Sequence, residues 1–201
     1  MLSLKTFFLK NALLLGDLLI LLLIIAGISV FQKHADLVLL GFWFAILIYS
    51  IISGRYKSLI HLVISTGIAV GWVYVARNNY GYNYSYSVIA GMNLLAILSW
   101  ALGMLGVSEI LNHIRFKNYI FRFILFVPVF WIVLILIETY AFHIIEIRNT
   151  MTGNSPGLPF CNCMHAPWWM RTVYFIMGPA YYGLTLFVDY YADKISVTKS
   201  E

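Results

Sequence analysis

Apolar residues run along this chain in six long stretches that are separated by short polar segments. A helix needs about 20 apolar residues to cross the hydrocarbon core of a bilayer. Backbone is stable there only when its N–H and C=O groups form hydrogen bonds within the protein. The pattern therefore predicts an all-α integral membrane bundle of six transmembrane helices that forms a single domain over residues 1–201. The predicted spans cover residues 12–31, 37–53, 59–76, 87–107, 119–143 and 167–189.

The connections between the predicted spans are short, so consecutive helices should be antiparallel neighbours. Only residues 144–166 form a long connection, for which we expect a structured exoplasmic loop between helices 5 and 6. Lysine and arginine are distributed unequally, and the side that carries more of them faces the cytoplasm. The side of both termini holds nine: Lys5, Lys10, Arg55, Lys57, Arg115, Lys117, Arg122, Lys194 and Lys199. The opposite side holds four: Lys33, Arg77, Arg148 and Arg171.

These counts place the N- and C-termini in the cytoplasm and the loop of residues 144–166 outside. We recognise no transit peptide, and we expect the first apolar run to stay as a signal anchor. The predicted location is therefore the plasma (inner) membrane, which the chain crosses several times.

The composition agrees with a membrane class. Hydrophobic residues make up 62% of the chain and charged residues 10%, whereas a soluble domain carries about 25% charged residues. The lipid bilayer is therefore the expected partner of most of the surface. The net charge of +5 comes from basic residues in short loops, so it indicates membrane topology and not a nucleic-acid partner.

Residues that are able to carry acid–base chemistry concentrate in the last third of the chain. His143 and Glu146 are three positions apart and would share one face of a helix, with Glu138 deeper in the membrane. Arg148 and Arg171 are expected at the same outer surface. This set predicts catalytic acid–base work on a lipid-derived substrate. The favoured alternative is a structural ion-pair network that anchors the loop, because such networks also perturb ionisable groups.

A second group in the same loop suggests a metal site. Cys161, Cys163, His165 and Met164 offer thiolate, imidazole and thioether ligands, which suit a Cu or Zn ion. The alternating residues converge on one side if the segment is extended. Cys-x-Cys is not the usual zinc spacing, so two alternatives stay open. The cysteines are small packing residues, which is the favoured interpretation, or they form a disulfide on the oxidising side.

The deepest charge of the first predicted helix is Asp17. Charges inside a bilayer face the bundle interior and find a partner. We expect Asp17 to pair with His61 or Arg122, which are predicted in the same half of the membrane. The functional alternative is a proton or cation pathway, for which a single carboxylate is thin evidence.

Two further patterns are less specific. Gly67 and Gly71 form a G-x-x-x-G that permits close helix approach, and we expect it to serve packing within the bundle. Tyrosine alternates with small polar residues in the segment 78–86. Such a segment forms a recognition surface or an interfacial tyrosine cap.

Sequence motifs of well-known enzymes are missing, among them a Walker loop, G-x-G-x-x-G, H-E-x-x-H and G-x-S-x-G. Three function classes follow. The favoured one is a non-catalytic accessory or assembly subunit that binds other membrane subunits. The second is a membrane-embedded enzyme acting on a lipid or isoprenoid at the outer face, for which Glu138, His143 and Arg148 should line one cavity open to lipid. The third is a small transporter or a copper/zinc handling protein.

Overall fold

The computed structural model describes residues 4–114 and 118–198, with side chains over 13–114 and 118–194. Within these ranges the chain forms six long helices: α1 (Leu4–Val30), α2 (Ala35–Ile52), α3 (Tyr56–Val75), α4 (Leu94–Asn112), α5 (Tyr119–His143) and α6 (Trp168–Thr198). The first five are long and apolar enough to cross a membrane. Polar and aromatic residues interrupt the apolar run of α6. The chain is therefore a multi-pass, mainly helical membrane protein.

Local sequence explains where the helices begin. Asn93 caps α4 by accepting a hydrogen bond from the amide of Ala96, and Asn118 caps α5 in the same way. A short hairpin precedes α4, with β1 (Val88–Ile89) antiparallel to β2 (Met92–Asn93). Its turn residues have positive φ, as tight hairpins require. The fourth helix thus begins at Leu94 and ends at Asn112, so the predicted span 87–107 was placed too early.

The α4 helix lies at the centre of the bundle and contacts every other long helix. The apolar window of α4 is 72% buried, whereas none of the window in α1 is buried. The α5 and α6 helices pack through aromatic rings, with Phe126 stacked on Tyr182 at 4.0 Å between centroids. At Gly178 the two helices are in close contact, because an added Cβ would overlap the ring of Phe130. Exposed apolar side chains on α1 and α2 face outward, as in a membrane-embedded bundle.

The expectation for the G-x-x-x-G pattern was wrong. Gly67 and Gly71 both lie on the exposed face of α3, and an added Cβ at either position would meet no atom within 4 Å. Glycines in close helix contact are found instead at Gly178, against Phe130, and at Gly27, where an added Cβ would lie 2.9 Å from Val38.

Two loops at one end of the bundle join to form the cap, which we define as residues 76–93 and 144–167. The amide of Thr150 donates to the carbonyl of Gly81 at 2.6 Å. The side chain of Asn83 donates to Glu146 O at 2.8 Å and accepts from Arg148 N at 2.9 Å. These bonds satisfy loop backbone that would otherwise be unpaired.

Tyrosines of the segment 78–86 pack into the cap rather than pointing outward as a set. Tyr86 is buried and donates to the carbonyl of Gln32 at 2.7 Å, and its ring contacts Tyr82 at 5.5 Å. These contacts support the structural interpretation of the tyrosine segment as a cap on the bundle.

Candidate functional site

A cavity of about 140 Å³ lies between α4 and α5 and ends beneath the cap. Its lining on α4 extends from Ala96 to Val107, and its lining on α5 extends from Phe130 to Phe142. At 1.5 Å per residue, these segments are about 16 and 18 Å long. The cavity is therefore elongated along the helices, and it covers about half the thickness of a hydrocarbon core.

The cavity reaches the surface of the bundle between α4 and α5. Ser99 and Ile137 line it, yet Ser99 is exposed and Ile137 is 43% exposed. Gly103, one helical turn after Ser99 on α4, also lines the cavity, and an added Cβ there would meet no atom within 4 Å. In a membrane this side faces lipid, because the flanking residues on α5 are apolar and exposed. The opening is therefore lateral.

Aromatic side chains form the wall of the cavity next to the cap. The hydroxyl of Tyr80 accepts hydrogen bonds from Trp72 Nε1 at 2.8 Å and Trp100 Nε1 at 3.1 Å, and it donates to Tyr174 at 3.3 Å. Burial raises the pKa of Tyr80 to about 12, although its hydrogen bonds act in the opposite direction. The hydroxyl of Tyr80 is therefore neutral at physiological pH. Its hydrogen bonds to Trp72, Trp100 and Tyr174 hold the aromatic wall in place.

Glu138 projects its carboxyl group into this aromatic region. It lines the cavity, and its electrostatic neighbours include Tyr80, Tyr82 and Tyr174. Among the described residues, none forms a hydrogen bond or an ion pair with it. Buried carboxylates are normally paired, because an isolated charge is expensive to bury. Glu138 is thus an acidic group whose partner is missing from the described part of the protein.

The other four predicted catalytic residues do not join Glu138 in the cavity. The α5 helix ends at His143, and Glu146 follows in a loop with φ of 53°, so the two do not share a helical face as predicted. His143 Nε2 donates to the carbonyl of Cys161 at 2.9 Å.

The two arginines of that set are also outside the cavity lining. Arg148 pairs with Glu146 at 3.4 Å, and both side chains are largely exposed. Arg171 lies in the first turn of α6. The structure therefore does not assemble the predicted acid–imidazole–guanidinium site.

The metal prediction is not supported. Cys161 and Cys163 form a disulfide, so their sulfurs are not thiolate ligands, and the disulfide alternative is the one that the structure shows. No group of three or more His, Cys, Asp or Glu residues in the described ranges is arranged to hold a metal ion. His165 and Met164 line the cavity instead.

His165 closes the cap end of the cavity. Its ring stacks on Phe142 at 4.5 Å and 5°, and Nε2 donates to the carbonyl of Asn162 at 3.1 Å. Burial lowers the pKa of His165, and the positive charges of His143, Arg148 and Arg171 lower it further. The imidazole is therefore mostly neutral at pH 7.

A second polar assembly, the ion-pair network, lies at the opposite end of the bundle. Asp17 contacts Arg55 Nη1 at 3.2 Å and His113 Nε2 at 2.8 Å. The expected pairing of Asp17 with His61 or Arg122 was wrong. Arg122 bonds to Asn112 instead.

The network continues across the bundle to α6. Arg55 also contacts Glu109 at 2.8 Å. His61 lies between two acids, with Nδ1 3.7 Å from Glu109 and Nε2 3.3 Å from Asp189. Burial acts to lower the pKa of Arg55, but its bonds to Asp17 and the charge of Glu109 outweigh burial and raise it. Asp17, Glu109 and Asp189 thus each have a basic partner.

Sequence reasoning missed this network because the predicted fourth span ended at residue 107. Glu109 and His113 were thereby assigned to a loop, whereas the structure places Glu109 in the last turn of α4 and His113 at its C-cap. Their spacing of four, which brings helical side chains together, was the available signal.

No family model, curated protein or solved structure matches this chain. The cavity and the ion-pair network are therefore the features of the molecule that bear on its function.

Proposed function

We propose that this protein binds a lipid-like amphiphile in the cavity between α4 and α5, with Glu138 as the polar anchor. The observation that carries the proposal is an unpaired carboxyl group in an elongated cavity that opens laterally. Binding sites for small molecules are mostly apolar with a few convergent polar groups, and this cavity has that character. Its apolar part, which includes Met104, Val107, Val133 and Leu134, lies away from the cap and would hold a hydrocarbon tail.

The proposal includes α6 as a sixth span and the cap on the exoplasmic side. The 31 residues of α6 extend about 46 Å, which exceeds a hydrocarbon core of about 30 Å. The excess of basic residues on the side of the termini supports a cytoplasmic location for both ends. The cavity then opens into the outer leaflet of the plasma membrane, where a lipid enters sideways without crossing the bilayer.

Binding is a better match to this site than the catalysis predicted from sequence. The acid–base set of Glu138, His143 and Arg148 was expected in one cavity, and only Glu138 lines it. The paired charges of the ion-pair network do not line this cavity either, which weighs against a continuous path for transport. An accessory subunit of a membrane complex, which is the function that the sequence favours, could also bind a lipid in this cavity. The existence of a partner subunit stays a prediction.

The direct test is to identify what the protein carries out of its membrane. The chain is extracted into polymer-bounded nanodiscs, and the lipids bound to it are compared with the bulk lipids by mass spectrometry. We expect one amphiphile to be enriched about tenfold or more in the wild type and to fall to the bulk level in Gly103→Leu. That substitution adds a large apolar side chain at the lateral opening, and its Cβ would meet no atom within 4 Å.

Two variants serve as matched controls. Gly71→Leu adds the same side chain at an exposed helical glycine of α3 that also has open space around it. Glu146→Gln neutralises an exposed glutamate outside the cavity. Both should retain the amphiphile at the wild-type level. A bound-lipid profile that is identical in the wild type, both controls and Gly103→Leu contradicts the proposal.

A further inference from the structure

The charge of the cavity narrows the class of amphiphile, on the condition that the proposed binding function holds. Glu138 supplies an acidic side chain, and the lining contains neither lysine nor arginine among the described residues. The only basic side chain in that lining is His165, which is mostly neutral because its pKa is lowered. An anionic head would therefore meet a carboxylate with no cation to offset it, which disfavours acidic lipids.

The aromatic lining points to the opposite charge. Trp100 and Tyr174 lie with their ring centroids 4.8 Å apart, and Tyr80 and Tyr82 stack at 6.4 Å. All four rings line the same cavity as Glu138. Aromatic walls attract cations through the ring quadrupole, and aromatic cages are the recurring solution for quaternary ammonium groups.

A hydroxyl head would satisfy the site less well. The hydroxyl of Tyr80 already accepts from two indole groups and donates to Tyr174, so it has little hydrogen-bonding capacity left for a ligand. A neutral donor would also leave the ionised form of Glu138 uncompensated, whereas a cation stabilises the ionised carboxylate directly.

We propose that the cavity selects an amphiphile whose head carries an amine or a quaternary ammonium group, held between Glu138 and the aromatic wall. The tail would then run along α4 and α5 past Gly103 toward the middle of the membrane. Aminolipids and choline-type lipids share this chemistry. The structure defines the positively charged nitrogen as the recognised feature, rather than a particular lipid.

The test compares probes that differ in the head alone. An alkyl trimethylammonium, an alkanol and an alkyl sulfate of equal chain length are titrated into purified protein in a neutral detergent. A change in the intensity or emission maximum of tryptophan fluorescence reports binding, since Trp100 lines the cavity and Trp72 is bonded to Tyr80. We expect the ammonium probe to bind about tenfold more tightly than the alkanol, and the sulfate to bind most weakly. Glu138→Gln should abolish this preference.

The outcomes separate the inference from the proposed function. Equal binding of the ammonium and the alkanol by the wild type would overturn the cation inference and leave lipid binding intact. Failure of every probe to bind, together with a bulk-like lipid profile in nanodiscs, would overturn both. If Glu138→Gln folds poorly, Gly103→Leu serves as the second variant, and it should weaken all three probes. A head-group preference that Glu138→Gln leaves unchanged would contradict the role of the carboxylate.

Discussion

The ion-pair network and the cavity beneath the cap differ in whether their acidic side chains have basic partners. At the network end, Asp17, Glu109 and Asp189 each lie within 3.3 Å of a basic side chain. At the cap end, Glu138 has no such neighbour in the part of the chain that the structure describes. The ion pairs of the network connect neighbouring helices, whereas Glu138 is left to pair with a group that is not part of the described protein. The difference favours a structural role for the ion-pair network and supports the binding role proposed for the cavity.

The geometry of the network supports a structural role. Arg55 stands in the turn between α2 and α3 and holds acids from α1 and α4 at once. His61 then joins α3 to α6 through Asp189. Helices in lipid gain little from the hydrophobic effect when they associate. Polar contacts between helices, such as these ion pairs, therefore help to fix how the helices pack.

The largest expected effect comes from breaking this network. Arg55→Met would leave Asp17 without Arg55 and Glu109 with only the longer contact to His61. Removal of one partner from a buried pair costs about 3–5 kcal/mol, and we expect about 3 because the Arg55 side chain is 22% exposed. The measurement is the free energy of unfolding in a mild detergent.

The matched control is Lys57→Met, which removes a neighbouring pair at the surface. Lys57 contacts Asp193 at 2.7 Å, but both side chains are 53% exposed, and such pairs contribute about 0–1 kcal/mol. If Arg55→Met and Lys57→Met destabilise the protein equally, the network is not the structural element inferred from its contacts.

The second prediction concerns the two sides of the α5 helix. Gly178→Ala would push a Cβ into the ring of Phe130, and overpacking of this kind costs about 1–3 kcal/mol. Gly103→Ala points into open space, so we expect it to stabilise the protein by up to about 1 kcal/mol through helix propensity. The comparison of thermal midpoints tests whether the α5–α6 side is closed while the α4–α5 side is open. Similar losses in both variants would mean that the lateral opening is absent.

The third prediction compares the same isosteric change at both ends. Glu109→Gln should destabilise the protein by about 1–2 kcal/mol, because the Arg55 guanidinium loses a charged acceptor. Glu138→Gln should leave the stability of the ligand-free protein unchanged or raise it, because an unpaired buried charge is removed. Chemical denaturation of both variants in detergent checks this. A large loss in Glu138→Gln would reveal a partner for the carboxyl group and remove the basis of the site.

The sequence predicted those features of the fold that depend on the local run of residues along the chain. Long apolar runs predicted a multi-pass helical bundle because a bilayer imposes length and composition on every span. Five helices in the described ranges are long and apolar enough to cross a membrane. The start of α4 was missed because the hairpin of residues 88–93 is itself apolar, and hydropathy does not separate a short strand from the first turn of a helix.

The site was only partly predictable, for a related reason. Glu138 was recognised because an ionisable residue within an apolar run is conspicuous. Its companions in the cavity, Tyr80, Trp100 and Tyr174, come from three different elements, and no local spacing brings them together. His165 was assigned to a metal group because its neighbours are cysteines, yet the disulfide leaves it free to stack on Phe142.

The smallest expected effect is a pH dependence confined to the cap end. The pKa of His165 is lowered from 6.5 by burial and by the charges of His143, Arg148 and Arg171. Below about pH 6.5 the unfolded chain therefore binds a proton at His165 that the folded chain does not. The contribution of the neutral imidazole to the free energy of unfolding is fully present above about pH 6.5, and it is lost as the pH falls toward the lowered pKa of the folded state. We expect the thermal midpoint of the wild type to fall slightly more between about pH 7.5 and 5.5 than that of His165→Gln. The control His34→Gln, at an exposed position just before α2, should behave like the wild type. The other histidines are common to both proteins, so the difference in slope isolates His165, and parallel slopes would show that its proton has no part in holding the cap over the cavity.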